Sequence, residues 1–241
     1  MKVDELYAKK DAEKLKERVA RICNLVWENR LVTATGGNVS ARVPNTNYVI
    51  IKPSGFHMYD VTPDNLIIVD VYGKVVQGDF KPSSETPMHT TVYRNRQDVG
   101  GIVHTHQAYA TALGIANMPI QPIVIGLKPV LGFPIVPYVL GGTQELADAA
   151  VKGLGKHRLG VILQNHGILA VGSDVEDAFE TALYMEELAK TQFIAMLAGK
   201  GRIRTLTMEE QKELLEKYGE EYLGIEKSEI QNIIRRMEAE E

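Results

Sequence analysis

The chain has 241 residues, 44% hydrophobic and 24% charged, with a formal net charge of -4. That length buries a substantial core in one large domain or two small ones, and the composition is that of an ordinary globular protein. The 27 Lys and Arg form no aromatic-rich basic stripe, which argues against nucleic acid, and no apolar run spans a membrane without interruption by Pro, Gly or polar groups. The N-terminal sequence is charged and helical, with no short apolar region before a cleavage site, so no targeting segment is expected. Cys23 is the only cysteine, so an intrachain disulfide is impossible. Its place in an apolar helical stretch predicts a buried thiol, and a reducing cytoplasm as the compartment.

Residues 1–30 read as an amphipathic helix, with Leu15, Val19, Ile22, Leu25 and Val26 at helical spacing. A polar, glycine-rich stretch follows from Thr33 to Ser40. Tyr48 to Ile51 reads as a strand ended by a turn at Pro53-Ser54-Gly55. Leu66 to Val71 is a further strand, turning at Gly73 and resuming near Val75. Ser84-Glu85-Thr86-Pro87 opens a helix through Tyr93. Gly101 to His106 is a strand whose alternation puts His104 and His106 on one face, about 7 Å apart. A small-residue helix through Ala108 and Leu113 leads into an apolar, Pro-rich segment from Pro119 to Pro137. Gly141-Gly142-Thr143 opens another helix, with Thr143 as its cap. Gly160 to Leu163 is a strand ending in Gln164-Asn165-His166-Gly167. A long helix from about Val175 to Ala198 and a charged helical tail complete the chain. With no internal repeat or linker, the expected fold is a single α/β domain around a mixed sheet, covering 1–241, with a core of about 15–200 and a tail at 201–241.

Three of the six histidines stand out. His104 and His106 sit at i and i+2 after an apolar run, and His166 ends another beside glycine. A His-x-His pair on one strand face presents both imidazoles to a single ion. A third completes a tripod that leaves positions open for substrate, as in catalytic zinc sites. The same spacing is also compatible with structural histidines or a non-catalytic metal. His57, His89 and His157 lack this setting and are assigned to surface or packing roles. Three polar stretches could bend around a ligand: Gly36 to Ser40, Pro53 to Gly55, and Ser83-Ser84-Glu85 at a helix start, where exposed N–H groups favour an anion. No Walker or dinucleotide glycine motif is present, so a nucleotide is not implied. Together with the histidines, these stretches point to a small anionic metabolite.

Five stretches in order carry a resemblance: GNVS at Gly37, KPSG at Lys52, PSSE at Pro82, HTH at His104 and NHG at Asn165. From roughly Arg21 to Leu197 the chain resembles the class II aldolases of the fuculose-phosphate type, whose fold is shared with the ribulose-phosphate 4-epimerases. The resemblance implies a three-layer α/β/α unit with a central, mainly antiparallel sheet, assembled as a homotetramer with active sites at subunit interfaces. It implies His104, His106 and His166 as ligands of zinc, with Mn2+ or Co2+ as substitutes. Glu85 matches the acid/base, which also ligates the metal when substrate is absent. Asn38, Ser54, Gly55, Ser83 and Ser84, helped by Gly37, match the phosphate-binding set.

The implied reaction is cleavage of a phosphorylated ketose, such as L-fuculose 1-phosphate, to dihydroxyacetone phosphate and an aldehyde. Glu85 stands where the epimerases usually carry Asp, and the segment after Pro119 lacks the sequence associated with epimerisation. Both features favour C–C cleavage. Fuculose-phosphate aldolases bring a tyrosine from a neighbouring subunit where this chain has Ile123. Tyr222, in a tail that often closes the site in such proteins, is the candidate donor in its place; helix packing is the other role open to it. An epimerase, a sugar-phosphate decarboxylase or dehydratase, and a non-enzymatic metal-dependent scaffold are the alternatives.

Overall fold

A computed structural model describes residues 3–125, 131–223 and 226–239. Helix α1 (Val3–Glu28) buries Leu15, Val19, Ile22, Cys23 and Val26, a stripe at three- and four-residue spacing. Eight strands follow: β1 (Asn38–Arg42), β2 (Tyr48–Ile51), β3 (Ile67–Asp70), β4 (Val75–Gln77), β5 (Gly101–Thr105), β6 (Ile135–Val136), β7 (Gly160–Leu163) and β8 (Gly167–Gly172). They form one sheet in the order β4-β3-β2-β1-β5-β8-β7-β6. Among the described residues every pairing is antiparallel except β6 with β7.

Strand alternation divides the core in two. Val39 and Ala41 of β1 and Val103 of β5 pack with α1, α3 (Ala108–Ile115) and α5 (Val175–Ala198). Ile102 of β5 and Leu169 of β8 pack on the opposite face with α2 (Thr86–Asn95) and α4 (Gln144–Leu154). The domain is therefore the expected α/β/α sandwich around a mixed, mostly antiparallel sheet. Helices α6 (Met208–Leu223) and α7 (Lys227–Ala239) pack on one another through Leu215, Ile230, Ile233 and Ile234, with Leu131 against them.

Two central strands were not expected from the pattern. Asn38 and Ser40 have low strand propensity, and Thr33 to Ser40 reads only as a polar, glycine-rich stretch. Pairing with both β2 and β5 buries Asn38, Val39, Ser40 and Ala41, and that context overrides propensity. Strand β8 hides behind its glycines: a Cβ on Gly167 would lie 2.2 Å from the Thr105 oxygen, and one on Gly172 would lie 2.3 Å from the Ala178 nitrogen. These positions admit glycine because other backbone runs against them, not because a loop begins there.

Candidate metal and anion site

The site forms at one end of the central strands. His104 lies on the α2/α4 face of β5, and its Cα partner across β1 is Asn38. His106 follows the last residue of β5, its backbone N–H donating to the Leu31 oxygen at 3.0 Å. His166 occupies the tight turn joining β7 and β8, in which Asn165 has φ 57°. Pairing of Thr105 with Ile168 brings that turn beside the end of β5.

One nitrogen from each of His104, His106 and His166 lies within 4.8 Å of the others. His104 Nδ1 donates to the Ile168 oxygen at 2.7 Å, which leaves Nε2 as the lone-pair atom, 3.0 Å from His106 Nε2. Burial, then the neighbouring imidazoles, holds His104 well below the usual histidine range. Burial, then His166, brings His106 down to about 4. Imidazoles held neutral with converging nitrogens are the donor set a divalent cation takes.

Glu85 is the residue before the first turn of α2 and is buried. Its Oε1 lies 3.9 Å from His166 Nε2, and its Oε2 is buried with no hydrogen-bond partner. A buried carboxylate oxygen is costly unless something satisfies it, and a cation or a substrate proton would do so. The residues therefore fit a metal. Three glycines give the cluster its room. A Cβ on Gly36 would sit 2.9 Å from His106 Nδ1, one on Gly167 2.7 Å from His106 Cδ2, and one on Gly141 2.9 Å from Glu85 Oε1.

Beside the histidines, backbone hydrogen bonds gather the polar stretches. Ser54 N–H donates to the Lys81 oxygen at 2.8 Å, Ser83 N–H to the Lys52 oxygen at 3.2 Å, and Lys52 N–H to the Val39 oxygen at 3.1 Å. Pro53 and Pro82 form an isolated antiparallel bridge. Asn38 and Ser83 are buried, whereas Ser54, Gly55 and Ser84 are exposed. Ser83 Oγ accepts from the Glu85 N–H at 3.2 Å, tying this polar stretch to the carboxylate. Gly55 has φ 78° and open space where a Cβ would be. Gly37, with φ 72°, serves packing: a Cβ there would lie 2.6 Å from Val32 Cγ1 and 2.8 Å from the His104 oxygen.

Several residues of this neighbourhood carried no functional reading in the sequence. Gly141 read only as a helix opening. Lys52, almost wholly buried, donates to the oxygens of Pro53 and Thr35 at 3.3 and 3.5 Å, and burial lowers its pKa. His89, assigned to surface or packing, is fully buried and hydrogen-bonded to Asn38 and Ser40. The signal for it was its place four residues after Glu85, on the same helical face. His57 is partly buried and stacks on Tyr59, and His157 is partly buried. Tyr222 belongs to α6, but its side chain lies outside the described residues. Ile123 packs, partly buried, against the core shared by α1 and α5.

Comparison with known proteins agrees with this geometry. Residues 17–193 match the family described as Class II Aldolase and Adducin N-terminal domain. The 5-deoxy-D-ribulose 1-phosphate aldolase of Bacillus thuringiensis serovar kurstaki is 32% identical over 208 residues, covering 86% of this chain and 96% of that protein. A solved L-fuculose 1-phosphate aldolase superposes with a TM-score of 0.78 at 30% identity, over 86% of this chain and 96% of its own. YgbL of Escherichia coli gives a TM-score of 0.70 at 28% identity, over 84% and 98% of the two chains. The protein belongs to the class II aldolase and adducin N-terminal domain family.

Proposed function

We propose that the protein is a metal-dependent aldolase that splits a phosphorylated ketose into dihydroxyacetone phosphate and an aldehyde, or joins them. The observation that carries this reading is the meeting of three converging imidazoles with a buried carboxylate whose Oε2 has no partner. The names of two relatives support it: both the Bacillus protein and the fuculose-phosphate enzyme are aldolases of ketose 1-phosphates.

His104, His106 and His166 would hold the ion, zinc first and Mn2+ or Co2+ as substitutes. When bound, it supplies Lewis acidity to the ketose carbonyl and the adjacent hydroxyl. In cleavage, the bond beyond the carbon next to the carbonyl breaks and its electron pair stays on that carbon. Glu85 delivers the proton that carbon then takes, and removes it again in condensation. The hydroxyl proton of the departing aldehyde carbon leaves to a second group, which we assign to Tyr222 of the C-terminal tail. Asn38, Ser54, Gly55, Ser83 and Ser84, with Gly37 shaping the turn, hold the phosphate. They fix orientation remote from the breaking bond and leave the aldehyde end free to vary. We further infer a homotetramer with sites at subunit interfaces, which light scattering on the purified protein tests.

The decisive experiment is turnover of a panel of ketose 1-phosphates and 5-phosphates by metal-reconstituted protein, with products identified by mass. Triose phosphate and an aldehyde are expected, lost in Glu85→Gln and reduced about tenfold or more in Tyr222→Phe. An isomer of unchanged mass would make the protein an epimerase. Loss of carbon dioxide or water would make it a decarboxylase or dehydratase. YgbL, described only as an aldolase/epimerase/decarboxylase, makes product identity the measurement that matters.

A further inference from the structure

Beneath the proposed phosphate site runs a buried chain of hydrogen bonds whose inner members, Tyr93, Ser40 and His89, the proposed chemistry does not use. The Tyr93 hydroxyl lies 2.9 Å from Ser40 Oγ, Ser40 Oγ lies 2.6 Å from His89 Nδ1, and His89 Nε2 lies 2.5 Å from Asn38 Oδ1. Tyr93, Ser40 and His89 are all fully buried, and Asn38 is 5% exposed. Two structural elements contribute: Asn38 and Ser40 come from β1, with His89 and Tyr93 one helical turn apart on α2.

Counting protons fixes the direction of the chain. Among the described residues the Tyr93 hydroxyl has Ser40 as its only hydrogen-bond partner, so its proton has one acceptor, Ser40 Oγ. Burial drives the phenol pKa up, which keeps that proton in place. The Ser40 proton then goes to His89 Nδ1, and neutral His89 carries its own proton on Nε2, donated to Asn38 Oδ1. The reverse order leaves the Tyr93 proton buried without an acceptor, at a cost of about 1–3 kcal/mol. With its oxygen engaged, the Asn38 amide has only its NH2 left to offer.

We propose that His89 is a positioning residue: through the Tyr93–Ser40–His89 chain it locks the Asn38 amide with its NH2 turned towards the substrate phosphate. This rests on the phosphate site proposed above. An amide free to rotate would present an oxygen to the anion half of the time, so the lock converts an ambivalent side chain into a committed donor.

Two measurements test it, both on the full chain. Long-range 1H–15N spectra of histidine-labelled protein should show His89 as the Nε2–H tautomer at pH 7; an Nδ1–H tautomer overturns the proposal. Titration of inorganic phosphate by calorimetry should show a loss of roughly tenfold in His89→Leu, the scale of one hydrogen bond to a charged group. His89→Gln, whose amide can still donate to Asn38, should recover part of that loss. Asn38→Ala should lose at least as much, and the double variant with His89→Leu no more than Asn38→Ala alone. Losses that multiply in the double variant, with melting curves showing all variants folded, would mean His89 acts elsewhere. Wild-type phosphate affinity in Asn38→Ala removes Asn38 from the phosphate site, and the proposal with it. Loss in Asn38→Ala alongside wild-type affinity in a folded His89→Leu overturns the positioning role only.

Discussion

A methyl group added at Gly141 would point at Glu85 Oε1 from 2.9 Å and at His166 Cε1 from 3.4 Å. Gly141 is exposed and its φ is not positive, so alanine strains no backbone there. Gly141→Ala is therefore expected to lower kcat by about ten- to a hundredfold, the scale of a small displacement of a reacting group, while the melting temperature holds. Parallel activity and melting measurements check this; a fall in stability that tracks activity would count against it. Cys23 offers a second residue-scale test. Burial pushes its thiol up to about 12, so native protein at pH 8 should resist iodoacetamide and label only in denaturant, as read by intact mass. The histidine pair was legible because alternation along an apolar strand puts both imidazoles on one face. Gly141 and His89 were not, because a glycine before a helix and a single histidine on one already have ordinary explanations. Only the neighbours from distant segments distinguish them.

At the scale of elements, the sequence showed most helices and β2, β3, β4, β5 and β7, but missed the two-residue β6 at the edge and β1 and β8, which flank β5 at the centre. Both gain their strand character from pairing on two sides, a tertiary effect that local pattern does not carry. Helix caps were easier. Thr143 accepts from the Leu146 N–H at 3.2 Å at the start of α4, as Thr after Gly-Gly implied. Thr143→Ala should cost about 1 kcal/mol, seen as a fall of roughly 2–4 °C in melting temperature. Because α4 packs against α2 through Leu146, Ala147 and the Met88–Val92 face, the loss should appear as lower global stability, not local fraying alone.

For the molecule as a whole, buried neutral histidines tie stability to pH. Burial brings His89 down to about 3 and His106 to about 4, and holds His104 low as well. The unfolded chain, with histidines near pH 6.5, takes up these protons first. Their contribution is complete above about 6.5 and is lost as pH falls towards 4 and 3, at about 1.4 kcal/mol per pH unit for each group. Urea midpoints of metal-free protein between pH 7.5 and 4.5 should fall accordingly; a flat profile would mean these rings do not differ between folded and unfolded states. Added Zn2+ should raise the melting temperature at pH 7.5 and do less at pH 5, where protons compete for the same nitrogens. Among the described residues no helix is long and apolar enough to cross a membrane.

The placement of β5 between β1 and β8 has a consequence for synthesis on the ribosome. The three strands span residues 38–42, 101–105 and 167–172, so the centre of the sheet closes only after some two-thirds of the chain has emerged. Until then β5 presents a bare edge of Ile102 and Val103 to the crowded surroundings, a template for the wrong partner. Long-range pairing of this kind is slow to find. Nascent chains stalled between Thr105 and Gly167 should therefore be the ones that chaperones hold and that aggregate when chaperones are scarce, whereas chains extended past Gly172 should escape both fates.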